Sequence, residues 1–176
     1  MINLKSVIRK IPDFPKKGIV FWDLTTLFRD KNAFRQMINI FVKRYKTYTI
    51  DYVVCIESRG FVIGSVLAYL LHTGLVIIRK KGKLPYRVIC EDYEKEYGLD
   101  TIEMHDDAIK KGDRVLLVDD LLATGNTALA AARLIEKAQG KVVECAFIVE
   151  LVDFSARTTQ LENYPVHSII QSRESD

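Results

Sequence analysis

Apolar residues recur along this chain at two different spacings, and the switches between them outline alternating helices and strands. Leu4, Val7, Ile8 and Ile11 fall at i, i+3, i+4 and i+7, which predicts a short helix stopped by Pro12. The run PDFPKKGIVFWDLTTLF (12–28), with two prolines and Gly18, predicts loop and then extended chain. Asp30 is placed to cap a helix in which Phe34, Met37, Ile38, Phe41, Val42 and Tyr45 keep helical spacing. YVVCI (52–56) reads as a buried strand, 61–73 as a helix with Gly74 past its end, and LVII (75–78) as a further strand.

From Arg79 to Gly98 the pattern changes. Charges, two glycines and little periodicity predict a long exposed loop, and its composition suggests that 84–98 is mobile until substrate orders it. TIEMH (101–105) alternates weakly and KKGD (110–113) reads as a turn. RVLLVDD (114–120) is a mainly apolar strand ending in two carboxylates. A loop over 121–126 leads into a helix over 127–139 that Gly140 stops. KVVECAFIVEL (141–151) and VHSIIQ (166–171) complete the strands. Repeated alternation of strand and helix predicts an α/β fold, with a mostly parallel sheet and helices on both faces. The 176 residues suit one domain, 1–176, and contain no internal repeat.

Composition narrows the function classes. With 48% apolar and 28% charged residues the chain is neither disordered nor collagen-like. A net charge of +3 is too small to argue for a nucleic-acid or membrane partner, although it permits a local anion site. The basic N-terminus lacks the apolar core of a secretory signal, and the uncharged stretch 60–78 is interrupted too often by polar residues and glycines to span a bilayer. Three cysteines, Cys55, Cys90 and Cys145, form no CxxC pair and read as reduced thiols of a cytoplasmic protein. There is no P-loop, dinucleotide fingerprint, zinc motif or nucleophile elbow.

The segment richest in chemistry is VLLVDDLLATGNT (115–127). Its strand delivers Asp119 and Asp120 to a carboxyl end, where open α/β sheets bind ligands. The ATGNT loop that follows offers small side chains, two hydroxyls and backbone N–H groups at a helix start, which suits a phosphate. Two acids beside a phosphate fit sugar hydroxyls with a divalent cation sharing the site. The same pattern also fits aspartates that merely cap the loop.

This run resembles the phosphoribosyl pyrophosphate motif of the type I phosphoribosyltransferases. FPKKGIVFWDLTTLF, ESRGF, RKKGKLP, EYGLDTIEMH and VELVDFSAR resemble, in order, further segments of the adenine-using branch of that family. The resemblance implies the type I fold with a small N-terminal base-binding hood. It also implies conversion of adenine and 5-phosphoribosyl 1-pyrophosphate to AMP and diphosphate, with Mg²⁺ as cofactor, no residue assigned as a metal ligand, and a homodimer. Val20 and Phe21 would then hold the base, with Val20 backbone groups reading the adenine amino edge. Ser58, Arg59, Gly60, Arg79 and Lys83 would hold the diphosphate, with Arg79 reaching a neighbouring subunit's site. Asp119 and Asp120 would bind the ribose, and Ala123, Thr124, Gly125, Asn126 and Thr127 the 5′-phosphate. Glu96 would be the catalytic carboxylate that handles the purine proton, one acid among Glu91, Asp92 and Glu94.

Two positions depart from the family pattern. Trp22 stands where Arg or Lys is usual, so that cation's role does not transfer and Trp22 reads as a packing residue. Asn126 replaces a usual glycine, and would tolerate positive φ better than most residues. Two alternatives remain: a phosphoribosyltransferase for hypoxanthine, guanine or xanthine, and a regulator that senses phosphoribosyl pyrophosphate and binds nucleic acid.

Overall fold

The computed structural model describes residues 2–95 and 98–173. It begins with helix α1 (Leu4–Val7) and strand β1 (Arg9–Pro12), so Ile11 belongs to a strand and not to the predicted helix. The backbone of Asp13, at φ +57°, turns the chain toward β2 (Val20–Asp23). β1 and β2 pair antiparallel, Lys10 opposite Trp22 and Pro12 opposite Val20, as a two-stranded hood. Ile8 caps the short helix α1, and Ile11 kept the helical spacing only by coincidence; pairing of 9–12 with β2 makes that segment a strand.

α2 (Thr25–Arg29), within the stretch expected to be irregular, leads to α3 (Lys31–Tyr45). The Asp30 carboxylate caps α3 as expected, accepting from the N–H groups of Asn32 (2.9 Å) and Ala33 (3.0 Å). Then come β3 (Tyr52–Ile56), α4 (Arg59–Leu71) and β4 (Gly74–Lys80). His72, in the left-handed region, ends α4, and Gly74 already belongs to β4.

The expected loop over 79–98 is mostly strand. β5 (Val88–Lys95) and β6 (Gly98–His105) form an antiparallel hairpin. Its inward-facing row is Ile89, Glu91 and Tyr93. The carboxylate in that row broke the apolar alternation, and it is neutralised by Lys137 and Arg133 of the helix it packs on. Glu91 is therefore no free loop acid. Glu96 lies outside the described residues.

β7 (Arg114–Leu122), α5 (Asn126–Lys137), β8 (Lys141–Leu151) and β9 (Val166–Ser172) follow, with two 3₁₀ turns, Val152–Phe154 and Ala156–Thr158, between the last strands. β7 runs two residues further than expected and α5 starts one residue earlier. The seven-stranded sheet has the order β5-β6-β4-β3-β7-β8-β9. β3 is parallel to β4 and β7, and β7, β8 and β9 are mutually parallel neighbours; only the hairpin joins antiparallel.

Helices cover both faces, as expected. α1 to α4 and the hood pack one side, burying Trp22, Met37, Phe41 and Ile63; α5 packs the other, with Ala128, Ala131 and Ala132 allowing close approach to the strands. Each large side chain so buried contributes about 1.5–3 kcal/mol. From β3 the chain crosses by α4 to one neighbour, and from β7 by α5 to the other. That reversal opens a crevice outside the carboxyl ends of β3 and β7. Among the described residues no helix is long and apolar enough to cross a membrane.

Asp23 staples the hood to this body. It accepts from the Thr25 hydroxyl (2.6 Å) and N–H (3.0 Å) and from Arg9 Nε (2.9 Å). The Thr25 bonds, then Arg9, hold its carboxyl down at about 2. A folded value below the unfolded one gives stability that is present above about pH 4 and is lost as pH falls toward 2. Asp23→Asn should lower stability at pH 7 by about 1 kcal/mol and flatten the loss between pH 4 and 2, measured by urea unfolding across that range.

Candidate active site

The crevice is built from two strand ends. β3 delivers Glu57 and Ser58 through a cis Glu57–Ser58 peptide, and α4 then begins at Arg59. β7 delivers Asp119 and Asp120 beside it. Asp120 is buried, and its carboxylate meets Arg59 Nε at 2.6 Å. The Asp119 carboxylate accepts from the Asp120 N–H at 2.9 Å. Burial, with the neighbouring Asp120 charge, pushes the Asp119 carboxyl well above the usual range. Burial raises Asp120 too, against the pull of Arg59. Gly60 is required here by close approach. A Cβ at that position would lie 2.9 Å from Asp119 Oδ1 and 3.1 Å from the Val118 carbonyl oxygen.

Beyond Leu122 the ATGNT loop wraps a small cavity of about 120 Å³, lined by Asp119, Ala123, Thr124, Gly125 and Thr127 among others. The positive φ in this loop falls on Gly125 (+85°), which precedes the first residue of α5. Asn126 is already helical, so its tolerance of positive φ is not used. Its side-chain amide instead donates to the Glu94 carbonyl of β5 at 3.0 Å.

A larger cavity, about 340 Å³, opens between the hood and the sheet. Gly18, Val20, Phe21, Trp22, Arg59 and Phe154 are among its walls, with Leu121, Ala123 and Leu151 completing the apolar side. The Arg59 guanidinium lies over the Phe21 ring at 5.2 Å while its Nε holds Asp120, so one side chain joins this cavity to the carboxylate pair. Trp22 is buried in the core beneath, with Lys10 Nζ 4.6 Å from its ring centroid. Leu151 and Phe154 were not singled out in the sequence, although VELVDFSAR contains both.

The basic turn after β4 is more ordered than its composition suggests. Arg79 Nη2 donates to Glu57 at 3.0 Å and its Nη1 donates to the Lys83 carbonyl at 2.9 Å. The buried Glu103 carboxylate accepts from the N–H groups of Leu84 (2.7 Å), Lys83 (2.9 Å) and Gly82 (3.0 Å). Burial alone would raise Glu103, but these bonds keep it below its ordinary value. Neither Glu57 nor Glu103 stood out in the sequence as a support for this turn. Ser58, Arg59, Gly60, Asp119, Asp120 and the ATGNT loop thus meet at one crevice edge, with Val20 and Phe21 across it. Arg79 and Lys83 occupy the adjacent β4 turn, where Arg79 is engaged by Glu57 of its own chain.

Among the described residues no cluster of three or more His, Cys, Asp or Glu side chains could hold a metal ion. Asp119 and Asp120 present adjacent carboxylates at this place, with the Arg59 guanidinium in contact with Asp120.

The phosphoribosyl transferase domain family matches residues 23–172. The adenine phosphoribosyltransferase of Brachyspira hyodysenteriae is 52% identical over 170 residues, covering 97% of this chain and 99% of that one. The crystal structure of adenine phosphoribosyltransferase from Rhodothermus marinus superposes with a TM-score of 0.91 at 48% identity, over 96% of each chain. The Saccharomyces cerevisiae enzyme, solved with an imino-altritol bisphosphate and adenine, superposes with a TM-score of 0.89 at 39% identity, over 94% of this chain and 96% of that one.

The contact at Gly60 makes a direct test of the crevice packing. Gly60→Ala should lose about 1–3 kcal/mol in urea unfolding, because the backbone oxygen of Val118 cannot yield. Ser65→Ala, on the exposed side of the same helix, should stay within about 0.5 kcal/mol of the wild type.

Proposed function

The chain belongs to the phosphoribosyl transferase family, in its adenine-using branch, and we propose how its residues divide the work of joining adenine to 5-phosphoribosyl 1-pyrophosphate in purine salvage. The products are AMP and diphosphate. Neither another purine nor a regulatory role is favoured by the relatives. The observation that carries the reading is the convergence, on one crevice, of an apolar cavity beneath Val20 and Phe21, a carboxylate pair and a small-residue loop at a helix start.

Adenine occupies the cavity between hood and sheet. The Val20 carbonyl accepts from the 6-amino group and its N–H donates to N1, while Phe21 packs on the purine face. Ala123 to Thr127 hold the 5′-phosphate with backbone N–H groups and the hydroxyls of Thr124 and Thr127. Asp119 and Asp120 take the ribose hydroxyls. Protonation of that pair is favoured by burial, and bound hydroxyls restore the hydrogen bonds an ionised pair requires. Mg²⁺, when bound with the substrate beside Asp119 and Asp120, would offset the negative charge of the leaving diphosphate.

In the transfer, purine N9 forms a bond to ribose C1 as the bond from C1 to the diphosphate oxygen breaks. The electron pair leaves with diphosphate, and the purine proton passes to Glu96. Asp119 and Asp120 stabilise positive charge as it develops at C1. Ser58, Arg59, Gly60, Arg79 and Lys83 receive the diphosphate. Glu57 and Glu103 hold the Arg79 side chain and the Lys83 backbone for that task. Arg59, which touches both Phe21 and Asp120, aligns the base with the ribose.

The hood and sheet act as one domain, 1–176, in a cytoplasmic homodimer. Val62 and Tyr69 of α4 and Leu75 of β4 are exposed on the same side of the sheet and supply an apolar surface for the second copy. The reduced state of Cys55, Cys90 and Cys145 suits that compartment.

Two measurements test this reading. A coupled assay with 5-phosphoribosyl 1-pyrophosphate should show adenine preferred over hypoxanthine, guanine and xanthine by about 10⁴ in kcat/KM, since a 6-oxo group meets the Val20 carbonyl lone pair to lone pair. Equal use of hypoxanthine would overturn the base assignment. In single-turnover kinetics Glu96→Gln should slow the chemical step about 10²–10⁴-fold with little change in substrate dissociation constants. Glu94→Gln is the control, because only the backbone carbonyl of Glu94 is engaged by Asn126. Glu91→Gln is unsuitable, since it breaks the pair with Lys137.

A further inference from the structure

Helix α5 touches two parts of the molecule that the reaction needs at the same moment. Its first turn closes the ATGNT loop, and one of its faces supports the β5–β6 hairpin. Asn126, Arg133 and Lys137, at i, i+7 and i+11, project from that face. Lys137 Nζ pairs with Glu91 and donates to the Cys90 carbonyl at 2.9 Å, and Arg133 Nη1 lies 3.6 Å from the same Glu91 carboxylate. These contacts grip the base of the hairpin. Asn126 grips β5 four residues nearer its end, through the Glu94 carbonyl at 3.0 Å. Between the two grips, Leu129 and Ala130 face Tyr93 and Leu99 across a groove of about 340 Å³. Tyr93 is buried on the α5 side and β5 pairs along its length with β6, and the Asn126 bond adds a side-chain tether from α5 near the end of β5.

We propose that Asn126 is a positioning residue: its backbone belongs to the phosphate loop, and its side-chain amide holds β5 two residues before Glu96. The tether thereby couples the loop proposed to hold phosphate to the strand that leads to the proton-handling carboxylate. The inference rests on the assignment of Glu96 given above. A glycine or alanine at this position could still present a backbone N–H to phosphate, but it would leave the Glu94 carbonyl without its donor. Binding and chemistry should therefore separate.

The test combines exchange and kinetics on the full chain. In ligand-free protein, Asn126→Ala and Asn126→Gly should speed hydrogen exchange of the 88–95 amides about 10-fold, with the C-terminal half of α5 unchanged. In single-turnover assays with adenine both variants should slow the chemical step about 10-fold, while the dissociation constant for 5-phosphoribosyl 1-pyrophosphate changes less than 3-fold. Asn126→Gln, which keeps the amide donor, should recover part of the rate. The decisive arm is the double variant Asn126→Ala/Glu96→Gln. If Asn126 acts through Glu96, the double variant is no slower than Glu96→Gln alone. Multiplying losses, or exchange in 88–95 that is unchanged, would overturn the proposal. A Glu96→Gln enzyme with a normal chemical step would instead overturn the role of Glu96, while the exchange rates of 88–95 test the tether independently of that role.

Discussion

The site depends on holding two adjacent carboxylates, Asp119 and Asp120, at the end of a central strand with a single guanidinium against them. Burying one ionised carboxylate without a partner is costly, and two side by side also repel. Arg59 relieves part of that cost at Asp120, and the Asp120 N–H relieves part of it at Asp119. The geometry that permits this is narrow. Arg59 must stand at the first position of α4, and the next residue must lack a side chain so that α4 can lie against β7. Under the proposed function, a sugar hydroxyl or a cation arriving with the substrate would meet the remaining unbalanced charge.

Arg59 also sets the relation between the two compartments. Because it stacks over Phe21, the hood cannot shift without disturbing the Asp120 pair. The hood itself is small, two strands of four residues, and a two-stranded ribbon is marginal alone. Its hold on the body comes from Trp22 in the core and from Asp23, whose bonds to Thr25 and Arg9 connect the β1–β2 pair to the start of α2. The cavity between hood and sheet is therefore an interface between a light element and a heavy one, fastened at Trp22 and Asp23, just beyond the residues proposed to hold the base.

On the other face, α5 plays the corresponding part. Its alanines bring it close to the sheet, its first turn closes the ATGNT loop, and its polar stripe holds the hairpin. Glu91 is central to that hold. An inward-facing carboxylate would be a packing error on a strand alone, and it becomes a register device once Lys137 and Arg133 face it.

Strong periodicity was sufficient for the long elements. The Asp30 cap and the apolar stripe from Phe34 to Tyr45 identified α3, and the continuous apolar runs 52–56 and 115–118 identified central strands, because their burial on both sides leaves no alternative pattern. The ATGNT loop and the two aspartates were legible for the same local reason: small residues, acids and a helix start lie within one short run. The sequence by itself thus determined the fold class, the long central elements and the candidate site residues of the proposed function. Tertiary structure alone decided the rest. Whether 9–12 is helix or strand depended on a partner strand, and whether 88–95 is loop or strand depended on its pairing with β6. Pairing of Glu57 with Arg79, support of a turn by Glu103, and the reach of Asn126 to Glu94 are contacts between segments distant along the chain. Spacing within a segment carries no record of them, since their free energy arises only when the sheet brings the partners together.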